Sequence, residues 1–184
     1  MFKKIVIFGV GLIGGSFALA LKNANKVSTT NPTALQIVGV GRSRASLERA
    51  LELGIIDVIA PSIADAMLDA DLVLIAAPVA QTTAILLSIV PYLQATTIVT
   101  DAGSTKSDVE AAARAVLRDK VGQFVPAHPI AGRESNGPDA AIAHLYMGKK
   151  VVITPLPENA IEDVAKVADA WRQCGAMIHQ LSAQ

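Results

Sequence analysis

Apolar residues along this chain gather in short runs, and between the runs they recur at helical spacing. Residues 3–8 read as a buried strand, and residues 12–22 as the helix after it. Residues 35–40 form a second apolar run. Residues 45–53 follow as a short helix, with Leu47, Ala50 and Leu51 on one face and Gly54 as its stop. A short strand is predicted at 57–60 and a helix at 63–68. The unbroken apolar run at 72–76 predicts a central strand, residues 79–90 a helix that Pro91 ends, and residues 97–100 another strand. Ser107 and Glu110 have the spacing of a capping box. They predict a helix whose Val109, Ala112, Ala113, Val116 and Leu117 share a face. Residues 123–125 read as a strand leading into a loop around His128, and residues 150–154 as a further strand. Pro157 suits a first helical turn. The helix beyond it offers Ile161, Val164, Ala165, Ala168 and Trp171 to a core. Gly175 ends that helix, and residues 176–180 supply a last strand.

Strands separated by helical patterns require crossover connections, which predicts an α/β fold with a doubly wound, mostly parallel sheet. One segment stands apart. Residues 23–33 are polar and long for a helix-to-strand connection, so they are expected to form a solvent loop away from any ligand.

A chain of 184 residues suits one domain with a real core. Sixteen basic residues balance sixteen acidic ones, so no electrostatic footprint for nucleic acid or an anionic membrane is present. Aromatics make up 4% of the chain, too few to build base-stacking platforms. The single cysteine, Cys174, can form neither an intrachain disulfide nor a cysteine-based metal cluster, and reads as a small buried hydrophobe. The composition fits a reducing cytoplasm. Lys3 and Lys4 before an uncharged stretch imitate a signal peptide, but Gly9, Gly11, Gly14 and Gly15 interrupt that stretch at spacings a secretory core does not need. The histidines have no ligand spacing with a carboxylate, and no metal site is expected.

Gly9-Val10-Gly11-Leu12-Ile13-Gly14 follows the first strand and opens the first helix. A dinucleotide needs glycine here for steric reasons. Gly9 allows a tight turn, Gly11 lets backbone N–H groups approach a pyrophosphate, and Gly14 lets the helix lie close on the strand. Leu12 and Ile13 begin the helix whose N-terminal partial charge faces the phosphates. The motif in this position predicts a Rossmann-type NAD(P)-binding domain over residues 1–184. The alternative is a glycine-packed turn without a ligand.

The second strand ends at Gly41-Arg42-Ser43-Arg44, where a site for NAD usually carries Asp or Glu. No acid is present. Arg42, Ser43 and Arg44 favour NADP through its 2′-phosphate; the alternative is that Ser43 caps the next helix and both arginines are solvated. Pro78 and Asp101 close two further strands at the carboxyl edge of the sheet and are expected beside the cofactor. Ser104 and Lys106 lie in the same crevice, although Ser104 could equally help to start the following helix. His128 follows at the same edge. A neutral imidazole with a pKa near 6.5 can accept a hydroxyl proton at neutral pH. Glu134 is close enough in sequence to orient it or to bind other groups. A lone loop histidine is more often structural, and His144 and His179 are read that way.

Together the segments Gly9–Ser16, Asp101-Ala102-Gly103-Ser104-Thr105-Lys106 and His128-Pro129-Ile130-Ala131-Gly132-Arg133-Glu134, with Gly137, resemble the prephenate/arogenate dehydrogenase family of tyrosine biosynthesis. The resemblance spans nearly the whole chain. It implies oxidation of a cyclohexadienol, with hydride passing to NAD(P)+ and carbon dioxide leaving as the ring becomes aromatic. It implies His128 as the group that assists deprotonation of the ring hydroxyl. Ser104 would help to position that histidine, the substrate and the nicotinamide. Gly132 and Glu134, in the same segment as His128, are expected to face the substrate. Family members continue into a helical dimerisation domain, so the resemblance also implies that this chain is a fragment of a homodimeric parent and turns over substrate poorly alone. Two other readings compete. One is a dehydrogenase of the 6-phosphogluconate or 3-hydroxyacid type, and the other a non-catalytic NAD(P)-sensing module.

Overall fold

The computed structural model describes residues 2–27, 34–132 and 134–181. Six parallel strands form the main sheet in the order β3-β2-β1-β4-β5-β6. They are β1 (Lys4–Phe8), β2 (Gln36–Val40), β3 (Val58–Ile59), β4 (Leu72–Ile75), β5 (Ile98–Asp101) and β6 (Phe124–Val125). The order reverses at β1, with β2 on one side and β4 on the other, as in a doubly wound sheet. Alternate residues of each strand feed opposite cores. Ile5, Ile7, Ile37, Leu72 and Leu74 join a cluster with Phe17 of α1 (Leu12–Val27) and Trp171 of α6 (Ile161–Gln173). Val6, Phe8, Val38, Val73 and Ile75 join a second cluster on the other face. That cluster also holds residues of α3 (Ile63–Met67), α4 (Thr82–Ile89) and α5 (Lys106–Leu117). A sheet covered on both faces explains why its strands read as unbroken apolar runs. The remaining helix, α2 (Arg44–Glu52), buries Leu47 and Ala50 but leaves Leu51 exposed.

The last three strands do not extend this sheet. β7 (Ala127–Pro129), β8 (Lys150–Ile153) and β9 (Met177–Gln180) form a separate three-stranded sheet, with β7 antiparallel to β8 and β8 parallel to β9. The chain changes sheets at Pro126, which has no N–H to give to a ladder. His128 therefore stands on a strand, opposite Val152, and not in a loop.

Several expected boundaries move. α1 runs on through residues 23–27, because nothing there breaks a helix and Lys26 suits its negative end; the rest of the expected loop, 28–33, lies outside the described residues. The helix expected at 79–90 divides into a 3-10 turn at Val79–Gln81, α4, and a second 3-10 turn that holds Pro91. The capping box does not form. Thr105 occupies the N-cap of α5 without a side-chain bond, and Glu110 pairs with Arg114 at 2.9 Å instead. Pro157 lies outside α6, which begins after a turn in which Asn159 Oδ1 accepts the Leu156 N–H at 2.7 Å. On α6, Val164, Val167, Ala168, Ala170 and Trp171 are buried, while Ile161 is 83% exposed.

Candidate functional site

A cleft of about 640 Å³ opens at the carboxyl edge of the sheet where the strand order reverses. That volume is in the range of cofactor-sized sites. Its floor is the turn after β1. Gly9 has φ +92°, and a Cβ there would stand 2.8 Å from the Ala76 carbonyl oxygen. A Cβ on Gly14 would sit 2.3 Å from the Gly9 carbonyl oxygen. Both are glycine because strand and helix leave no room. Gly11 differs: a Cβ on it would meet nothing nearer than the Gly137 nitrogen at 3.9 Å, so its missing side chain keeps the cleft itself open. Leu12 and Ile13 start α1, whose N-terminus lies at this floor. A glycine cradle at a helix N-terminus fits a pyrophosphate.

The walls come from three places. Gly41, Arg42 and Ser43 stand at the end of β2. Gln81, Ala84, Ile85 and Ser88 present one face of α4 and the turn before it. Gly137 and Pro138 form a strap across the top. The strap is tied down on two sides. Ser16 Oγ accepts the Ile142 N–H at 2.9 Å, and the Tyr146 hydroxyl donates to the Ile13 carbonyl at 2.6 Å. Arg49 of α2 grips Asp139 with two nitrogens, at 2.9 and 2.7 Å.

Arg42 lines the cleft, whereas Arg44 pairs with Glu48 at 2.8 Å and is not part of the wall. Ser43 has both roles considered from the sequence: it lines the cleft, and its Oγ caps α2 by accepting the Ser46 N–H at 3.2 Å. Pro78 is exposed at the start of the Val79–Gln81 turn, beside Ala77, which does reach the wall.

Asp101 was expected beside the cofactor, but it is 1% exposed and both its oxygens are taken by the protein. Oδ1 accepts the Ala127 N–H at 3.1 Å, and Oδ2 accepts the Gly103 N–H at 2.8 Å together with Lys106 Nζ. Lys106 Nζ also donates to the Ala127 carbonyl at 2.6 Å. Burial raises the Asp101 pKa and lowers that of Lys106, and their pairing opposes both shifts.

His128 is half-buried, next in sequence to Ala127. Partial burial lowers its pKa from 6.5, the Lys106 charge lowers it further, and Asp101 pulls the other way. The imidazole is therefore neutral at neutral pH and ready to take a proton. It does not line the cleft. β7 lies against β5, two strand spacings or roughly 10 Å along the edge from β1. Ser104, Gly132 and Glu134 are exposed. Arg133 lies outside the described residues. The α4 face and Pro138 were not anticipated as cleft wall. Gln81, Ile85 and Ser88 recur at helical spacing, and two polar residues sharing a face with Ile85 were the available signal.

The reversal of strand order at β1 and the glycine-floored cleft beside it define a nucleotide-binding domain of the Rossmann class. Residues 17–180 match the family described as prephenate dehydrogenase, nucleotide-binding domain. The chain is 37% identical over 185 residues to a cyclohexadienyl dehydrogenase of Zymomonas mobilis, covering 100% of this chain and 60% of that protein. It is 37% identical over 183 residues to a prephenate dehydrogenase of Bacillus subtilis, covering 99% of this chain and 47% of the relative. The structure of A. aeolicus prephenate dehydrogenase in complex with hydroxyphenyl propionate and NAD+ superimposes with a TM-score of 0.87 at 31% identity, covering 99% of this chain and 60% of that one. The chain belongs to the family of prephenate dehydrogenase nucleotide-binding domains. It spans less than two thirds of the length of these relatives. Among the described residues, no helix is long and apolar enough to cross a membrane.

Proposed function

We propose that this chain is the cofactor-binding part of a dehydrogenase that oxidises and decarboxylates a cyclohexadienol, prephenate or arogenate, with NADP+ as hydride acceptor. The neutral, half-buried His128 beyond β5, on the same sheet edge as the cleft, carries this reading. Gly9, Gly11, Gly14 and the N-terminus of α1 would hold the pyrophosphate, and Arg42 would hold a 2′-phosphate at the end of β2. The bound dinucleotide supplies an acceptor for hydride. His128 takes the proton of the ring hydroxyl as hydride leaves the carbon that bears it, so no full positive charge builds on that oxygen. The bond to the ring carboxylate then breaks, carbon dioxide departs, and its electron pair completes the aromatic ring. Gly132 and Glu134, exposed shortly after His128 in sequence, and Ser104, exposed in the turn after β5, are proposed to meet the substrate.

NAD+ is the second reading for the cofactor, because the A. aeolicus relative was captured with it. Calorimetric titration of the chain with both cofactors separates the two. NADP+ is expected to bind at least about tenfold more tightly, a difference of about 1.4 kcal/mol; equal or tighter NAD+ binding rejects the role of Arg42. For turnover, the chain joined to the complementary part of the Zymomonas mobilis relative should oxidise prephenate or arogenate. His128→Asn should lower its kcat by about 100-fold or more with cofactor affinity intact. Full activity in that variant rejects His128 as the base.

A further inference from the structure

The segment that carries His128 is held in an unusual way. β6 ends at Val125, paired to Thr100 of β5, and after Pro126 the chain leaves that ladder. From there β5 offers Ala127 no backbone partner. The Asp101 carboxylate takes the Ala127 N–H at 3.1 Å, and the Lys106 ammonium gives to the Ala127 carbonyl at 2.6 Å. The two side chains are paired with each other, and the second oxygen of Asp101 is saturated by the Gly103 N–H.

We propose that Asp101 and Lys106 form a buried bracket that replaces the missing strand contact between β5 and β7, fixes Ala127, and so sets both the place and the charge surroundings of the His128 imidazole. They are positioning residues that act through Ala127 and through the field at His128. Among the described residues, the charges that act on the imidazole are Lys106 from α5 and Asp101 from the end of β5. From β8 the residue opposite is the uncharged Val152. Lys106 has the larger effect of the two and favours the neutral imidazole, the form that accepts a proton. The importance of the bracket to catalysis rests on the reading of His128 as a base, but its existence does not.

The test is NMR titration of the imidazoles in the 184-residue chain, which holds only three histidines. His144→Gln and His179→Gln assign the His128 signal. Lys106→Met should raise the His128 midpoint by about 0.5 pH, and Asp101→Asn should lower it; Lys106→Arg should leave it near the wild-type value. Opposite signs distinguish charge control from general loosening, which moves both variants the same way. Amide exchange supplies the positional half: the Ala127 N–H should exchange at least about tenfold faster in Asp101→Asn. If Lys106→Met does not fold, the double variant Lys106→Met/Asp101→Asn leaves no unpaired buried charge. Its midpoint should rise above the wild-type value, because the stronger of the two influences has gone. A His128 midpoint unmoved in these variants, or an Ala127 amide that exchanges as in wild type, overturns the bracket. Loss of turnover on His128→Asn alongside such a result would leave the catalytic reading standing and the bracket rejected.

Discussion

Two glycines three residues apart, Gly11 in the turn after β1 and Gly14 in the first turn of α1, should fail in opposite ways when each is changed to alanine. A Cβ at Gly14 would lie 2.3 Å from the Gly9 carbonyl oxygen and 2.8 Å from Ile7 Cγ2. Neither neighbour can yield cheaply, since one is backbone in the turn and the other belongs to a fully buried strand residue. Overpacking of this kind costs about 3 kcal/mol or more, which for a domain of this size lowers Tm by about 6–12 °C. A Cβ at Gly11 has 3.9 Å to its nearest neighbour, and Gly11 does not have a positive φ. Its alanine variant should stay within about 0.5 kcal/mol of wild type, a Tm change of no more than about 2 °C. The new methyl projects where a pyrophosphate must approach the backbone, so cofactor affinity should drop about tenfold or more. Thermal melts followed by circular dichroism and calorimetric titration of the same samples measure both quantities. Gly11→Ala that binds like wild type, or Gly14→Ala that melts with it, would refute the division between a glycine kept for packing and one kept for the ligand.

Arg42→Ala should weaken NADP+ about tenfold and leave NAD+ unchanged, while Arg44→Ala should alter neither, because Arg44 pairs with Glu48 off the cleft wall; comparative titration checks both. Trp171→Phe should cost less than about 2 kcal/mol, against about 3–5 for Trp171→Ala, because among the described residues the buried indole N–H has no hydrogen-bond partner to lose; denaturant unfolding measures the pair. Tyr146→Phe removes the donor to the Ile13 carbonyl and should cost about 1 kcal/mol by the same assay. For pH, the sign follows from the lowered His128 pKa. The unfolded chain binds the proton more readily, so the contribution of His128 to stability is full above the unfolded value near 6.5 and is lost as pH falls through the folded value. Melts of wild type and His128→Asn from neutral to mildly acidic pH should therefore show the wild type losing stability relative to the variant as the pH drops.

The fold class was legible because buried parallel strands leave continuous apolar runs, and because the glycine turn ties one strand to one helix. Arg42 and the glycines of the cleft floor were read from the same local chemistry. The second sheet was not legible. Nothing in residues 150–154 or 176–180 states which strand they will pair with, and pairing direction depends on where Pro126 turns the chain. Asp101 was misplaced for a related reason. A carboxylate at the end of a strand can face a ligand or turn back into the protein, and only the arrival of Ala127 from across the sheet decides between them. The α5 start shifted because the Ser107–Glu110 spacing competes with an N-cap at Thr105, whereas Glu110 has a better partner in Arg114.

The strap over the cleft has a consequence for how the domain comes into being. The bonds that tie it to α1 join residues 126 and 133 positions apart in sequence. The first five strands and their helices can emerge from a ribosome with the glycine floor in place and no roof above it. Closure of the nucleotide site waits until Tyr146 has been made, and contacts of such long range form slowly. A nascent chain halted before Gly137 should leave α1 open to protease whether or not cofactor is present, and one halted after α6 should gain protection from it. The ability to bind nucleotide is then a late acquisition in synthesis, although the motif that announces it is among the first residues to appear.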